Sequence, residues 1–164
     1  MLALAPCPVL IIRSPRELRR VLVPLDGSPL SEQALEPALA LAASLRIGVT
    51  LLRAIQPVEG DEIRNLDRLE HGLGQRLIND LWNEAGAYLN RLASTRSPRG
   101  LEVSTAVVHA PAAQSVLQYA EAHEIDLIAM STHGQTGLRR WVYGSVTEKV
   151  LRGGHHSMLV VRPA

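Results

Sequence analysis

Short apolar runs alternate with helix-periodic segments along this chain, and that alternation constrains its fold more than any other feature. The apolar runs are Val21-Leu22-Val23-Pro24-Leu25, Ile47 to Ile55, Leu101 to His109, Ile125 to Met130 and Met158 to Arg162. Runs of Val, Leu and Ile bounded by turn residues read as buried strands; Leu101 to His109 carries the Leu, Val, Thr, Val alternation of another. Between them, Ser28-Pro29 open a long helical pattern through about Leu45: the serine caps, the proline suits the first helical position and Glu32 sits in the first turn. Leu35, Ala38, Leu39, Ala42 and Leu45 fall on one stripe. Gln56 to Gly74 reads as an exposed loop with a short helical piece around Glu62 to Leu69, and a second helix runs from Gln75 to about Ser94. Ala112 to Ala122 and Ser145 to Arg152 are the third and fourth helices, the last one ended by Gly153-Gly154. A β-α-β rhythm repeated this way predicts a doubly wound, five-stranded parallel sheet covered on both faces, with right-handed crossovers.

In such sheets ligands sit beyond the carboxyl ends of the strands, where the strand order reverses. Two loops occupy that place: Asp26-Gly27-Ser28 after the first strand of the rhythm, and Ser131 to Tyr143 after the fourth. The second contains Ser131-Thr132-His133-Gly134, nine further residues, and then Gly144-Ser145-Val146 at the start of a helix. Glycines let the backbone approach an anion, and a helix N-terminus offers free N–H groups and partial positive charge. An acidic residue and an anion-holding loop thus converge on one crevice, a pattern that suits a nucleotide. On the loop alone, a plain turn with a capping serine explains the residues equally well.

Composition closes other routes. The chain has 164 residues, 46% hydrophobic and 20% charged, which fits one globular domain with a substantial core. Its net charge is +1 and aromatic residues make up 3%, so neither an electrostatic footprint nor a stacking platform for nucleic acid is expected. One cysteine, Cys7, permits no intrachain disulfide, in keeping with a reducing compartment. The apolar start, Met1 to Ile12, is short, contains Pro6 and Pro8 and has no basic residue ahead of it. It is expected neither to span a membrane nor to act as a signal peptide, so the expected location is the cytoplasm.

The chain resembles the universal stress protein family. Val21-Leu22-Val23-Pro24-Leu25-Asp26-Gly27-Ser28 resembles the opening of such a domain, and Ser131-Thr132-His133-Gly134, nine residues, Gly144-Ser145-Val146 and the closing Leu159-Val160-Val161-Arg162 resemble its end. The resemblance implies a Rossmann-like fold of the adenine nucleotide alpha hydrolase type over residues 20–164, and ATP (or ADP or AMP) as ligand, with Mg²⁺ bound through the phosphates. It implies that Asp26 accepts hydrogen bonds from the ribose hydroxyls and that Pro24 and Leu25 line the adenine slot. Ala54 would offer backbone groups to the adenine edge, and Met130 and Ser131 would lie beside the sugar. Gly134, Gly144, Ser145 and Val146 would hold the phosphates. Ser131 stands where the nucleotide-binding branch carries its first glycine, a departure that bears on ATP binding. The family also implies a homodimer through the last strand and a role in stress response or signalling. No catalytic residues are implied. A member acting through protein contacts without nucleotide, and a slow ATPase using His133, are the alternatives.

Three further features carry expectations. Arg139 and Arg140 lie in the loop between the two phosphate-binding ends, either as phosphate donors or as solvated charges. His155-His156 has neither i, i+4 nor C-x-x-C-type spacing, so the pair reads as surface histidines and no metal site is expected. Residues 1–19 form an extension whose Val9-Leu10-Ile11-Ile12-Arg13 matches Met158-Leu159-Val160-Val161-Arg162. The extension therefore reads as the last strand of a preceding domain of the same kind. It is expected to pair with the last strand, within the chain or across a dimer, because an exposed Met-Leu-Val-Val edge is a template for association.

Overall fold

The computed structural model describes residues 7–13, 17–58, 60–132 and 145–162. The chain runs β1 (Val9–Ile11), β2 (Arg20–Pro24), α1 (Pro29–Glu32), α2 (Leu35–Leu45), β3 (Gly48–Ile55), α3 (Gly60–Leu69), α4 (Leu73–Arg96), β4 (Val103–His109), α5 (Ala112–Ala122), β5 (Leu127–Ser131), α6 (Ser145–Gly153) and β6 (Ser157–Val161). The sheet order is β1-β6-β5-β2-β3-β4. Five strands are parallel and β1 alone is antiparallel, which is the expected doubly wound sheet with its extra N-terminal strand.

The apolar runs become the centre of the sheet because both of their faces are covered. Along β2 the pleat sends Val21 and Val23 to one face, with Leu25 following, and Leu22 to the other. The first face packs under α2 and α4, through Leu35, Leu39, Leu89 and Leu92; the second packs under α5 and α6, through Val116, Ala120 and Val150. The chain winds from β2 outward to β3 and β4, returns over α5 to β5 beside β2, and continues to β6. The strand order therefore reverses between β2 and β5, whose register pairs Val21 with Leu127 and Leu22 with Ile128.

Two local expectations are corrected. The helix expected from Ser28-Pro29 through Leu45 is broken into α1 and α2, and Leu45 is left 47% exposed. Pro37 supplies the reason. Its ring has no N–H for the carbonyl four residues back and crowds it, so proline fits only the first turn of a helix that starts at Leu35. The second correction concerns His156, expected at the surface: it is 8% exposed, whereas the side chain of its neighbour His155 is 79% exposed.

β1 covers the edge of β6 within the same chain, pairing Val9 with Val160, Leu10 with Leu159 and Ile11 with Met158. Arg13 fastens the pairing. Its N–H donates to Ser157 Oγ at 3.2 Å, and its guanidinium donates to the carbonyls of Leu151, at 2.6 Å, and Gly154. Those carbonyls are the negative end of α6, where a cation is favoured. The outer edge that a dimer through β6 would use is thus occupied by β1.

Candidate functional site

The reversal between β2 and β5 opens a crevice at the carboxyl ends of the strands. It is lined by Pro24, Leu25 and Asp26 after β2, Ser28, Leu30 and Ser31 of the α1 turn, and Leu52 and Ala54 of β3. Ala112 and Val116 of α5, Met130 and Ser131 of β5, and Val146 and Thr147 of α6 complete it. Seven of the residues expected from sequence (Pro24, Leu25, Asp26, Ala54, Met130, Ser131 and Val146) therefore share one wall system. Gly134 and Gly144 lie outside the described residues, as do His133, Arg139, Arg140, Trp141 and Tyr143; Ser145 is the first residue of α6, and its side chain lies outside the description too. The described walls enclose about 120 Å³, less than the roughly 300 Å³ at which whole-ligand pockets begin.

The acidic wall is built by a closed turn. Gly27 takes φ +84°, which a side chain would strain, and a Cβ there would also run into the Arg53 guanidinium. Beyond it, Ser28 caps α1: its Oγ accepts from the Ser31 N–H at 3.1 Å while donating to Asp26 Oδ1 at 2.6 Å. The Ser28 N–H donates to the same carboxylate oxygen at 2.9 Å. Ser31 Oγ returns the linkage, donating to the Ser28 carbonyl at 2.9 Å and accepting from the Asp26 N–H at 3.3 Å. Burial pushes the Asp26 carboxyl upward, but the Ser28 and Ser31 hydrogen bonds and the Arg53 charge outweigh it and hold Asp26 below its ordinary value. The carboxylate is therefore ionised and pre-oriented at the crevice mouth.

Arg53 gives this rim its cation. Its guanidinium lies 5.4 Å from the Tyr88 ring centroid, and the Tyr88 hydroxyl donates to Glu32 Oε1 at 3.0 Å. Burial and the Glu32 carboxylate push the Tyr88 phenol far up, so it stays a neutral donor. On the opposite wall Thr147, 3% exposed, donates its hydroxyl to the Ser131 carbonyl at 3.1 Å, tying the first turn of α6 to the end of β5. The floor between the two polar walls is apolar, with Leu25, Leu52, Val116 and Met130 all buried. The crevice offers a flat apolar group a slot, a diol a charged acceptor, and an anion the start of α6.

Residues 17–162 match the universal stress protein family. The chain belongs to that family. Among universal stress proteins, MJ0531 of Methanocaldococcus jannaschii is 29% identical over 93% of this chain and 87% of its own length. The solved structure of MJ0577, from the same organism, superposes with a TM-score of 0.68 at 26% identity, covering 89% of this chain and 96% of that one. A universal stress protein solved in complex with cAMP shares the fold, with a TM-score of 0.61 at 19% identity over 89% of this chain and 98% of its own.

Sequence reasoning placed Ser28 in a loop at the crevice but did not single out Ser31, Ala112 or Thr147 as lining residues. Ser28 and Ser31 had a local signal, the Ser-x-x-Ser spacing at a helix start, which folds the turn back onto Asp26. Ala112 and Thr147 had none, because they reach the crevice only through the crossover geometry.

Proposed function

We propose that this universal stress protein binds an adenine nucleotide, ATP in the first place and ADP or AMP with fewer contacts, in the crevice between β2 and β5. The observation that carries the reading is the juxtaposition of an ionised, pre-oriented Asp26 with the N-terminus of α6 across an apolar floor. In this reading Asp26 accepts from the ribose hydroxyls, Pro24 and Leu25 flank the base, and the Ala54 backbone meets its edge. Met130 and Ser131 lie beside the sugar, and Gly134, Gly144, Ser145 and Val146 hold the phosphates, with any Mg²⁺ bound through those phosphates. The cAMP complex of a protein with this fold supports an adenine nucleotide as the ligand class.

The role proposed is nucleotide-dependent stress adaptation or signalling in the cytoplasm. No helix among the described residues is long and apolar enough to cross a membrane. The homodimer expected through the last strand is proposed to form at the β1 edge, where Leu10 is 42% and Ile12 57% exposed, or by exchange of β1 between subunits. The extension itself, residues 1–19, is proposed to descend from the closing strand of a preceding domain, a reading supported by the antiparallel pairing of Val9–Ile11 with β6.

Isothermal titration calorimetry with ATP, ADP, AMP and adenosine tests the function. Saturable binding that strengthens with phosphate number is expected. Absence of binding by all four ligands would leave the member that acts through protein contacts as the better reading.

A further inference from the structure

At the opposite end of the sheet from the crevice, two consecutive histidines meet a carboxylate brought in by another element. Gly153 and Gly154 end α6, and a Cβ on either would press Leu117 of α5, at 3.0 and 2.8 Å. The glycine pair therefore lets the α6–β6 turn lie directly on α5. Leu117 and Glu121 are four residues apart and share one face of that helix. The turn that packs on Leu117 consequently delivers His155 and His156 to Glu121.

The donor atoms lie close enough to converge on a first-row metal. His155 Nε2 lies 3.4 Å from Glu121 Oε2, and His156 Nε2 lies 3.9 Å from the same oxygen. One donor atom from each of the three residues lies within 4.8 Å of the other two. Ligands about 2.0–2.1 Å from a tetrahedral zinc stand about 3.3 Å apart, so the trio has to draw together around an ion. The two imidazoles are stacked, with centroids 4.5 Å apart and planes at 24°.

The surroundings of the trio favour a cation. His156 is 8% exposed, with Nε2 the nitrogen on the Glu121 side and Nδ1 buried on the Gly154 side. The adjoining cavity, about 310 Å³, is also lined by Glu124 and Asp126, which add negative charge around the trio. The exposed sides of Glu121 and His155 leave a fourth position open to water.

We propose that Glu121, His155 and His156 form a binding site for a divalent zinc-class cation, separate from the nucleotide crevice. Two imidazoles and a carboxylate select zinc over magnesium, which favours oxygen donors and keeps its own waters. Bound there, the ion ties the C-terminal end of α5 to the turn after α6. Those two helices present Ala112, Val146 and Thr147 to the crevice at their other ends. The sequence hid this site because adjacent histidines lack a metal-binding spacing of their own; the third ligand is supplied by tertiary packing.

Titration of the full chain, free of nucleotide, with zinc chloride by calorimetry tests the proposal. One zinc per chain is expected, with no comparable uptake of magnesium. Glu121→Gln and His155→Ala change exposed side chains and so spare the fold, which circular dichroism checks; each is expected to weaken zinc at least about tenfold. Cys7→Ser, which removes an exposed thiol outside the trio, is expected to leave the affinity unchanged. Cobalt substituted for zinc is expected to show visible d–d bands that both trio variants lose. Unaltered affinity in Glu121→Gln and His155→Ala, loss confined to Cys7→Ser, or no zinc uptake by the unaltered chain would each overturn the proposal.

Discussion

Replacing Asp26 by alanine isolates the acidic wall of the crevice. A hydrogen bond to a charged group contributes roughly 1.5–3 kcal/mol, and a ribose diol makes two, so a gross loss of about 3–6 kcal/mol is available. Much of it is offset. Asp26 is solvent-exposed, water replaces the lost partners, and Ser28 already occupies Oδ1 with its N–H and hydroxyl. A net loss of at least about 1.4 kcal/mol remains, which is a tenfold weakening of ATP. The same substitution removes the two Ser28 contacts that close the turn before α1, so a modest fall in stability, about 1 kcal/mol, accompanies it. Calorimetric titration of Asp26→Ala and Asp26→Asn with ATP, alongside urea unfolding, separates the two effects. The asparagine keeps an acceptor and is expected to fall between wild type and alanine. If Asp26→Ala stays folded and binds ATP as the unaltered chain does, the ribose role of this carboxylate is wrong.

Other outcomes follow from the same structure. Because Asp26 is held below its ordinary value of 3.8, its contribution to stability is fully present above that pH and is lost as pH falls through the lowered folded value; wild type is therefore expected to lose stability relative to Asp26→Asn only below about pH 3.8, read by urea unfolding at a series of pH values. Leu22→Ala empties a fully buried site between β3 and β5 under α5 and α6, and a loss of about 2–5 kcal/mol is expected by chemical denaturation. Deletion of residues 1–15 strips β1 and Arg13 from the β6 edge, and light scattering is expected to show a changed mass or aggregation; unchanged mass and solubility would refute the edge-covering role.

The sheet was legible in the sequence because its strands carry their burial in composition. Val21 to Leu25 and Leu127 to Met130 are apolar without interruption, as only a strand covered on both faces needs to be. The crevice was legible through topology: once β2 and β5 are neighbours, Asp26 and Ser131 must end at the same point. The break before α2 was equally present in Pro37, but the capping signal at Ser28-Pro29 and the long apolar stripe obscured it. Two features were not legible. Whether β1 covers its own chain or a neighbour depends on the path from Arg13 to β2, which no residue pattern encodes. The meeting of His155 and His156 with Glu121 depends on how closely Gly153 and Gly154 pack on Leu117, a distance rather than a motif. The burial of His156 follows from that same packing.

The central claim is that an adenine nucleotide occupies the crevice between β2 and β5, and amide-resolved NMR of the full chain titrated with ATP tests it most directly. The account predicts saturable shifts concentrated at Leu25, Asp26, Ala54, Ser131, Val146 and Thr147, with the β4 edge and the turn carrying His155 and His156 unmoved. Shifts that avoid those residues, or no shifts at saturating ATP, would contradict it.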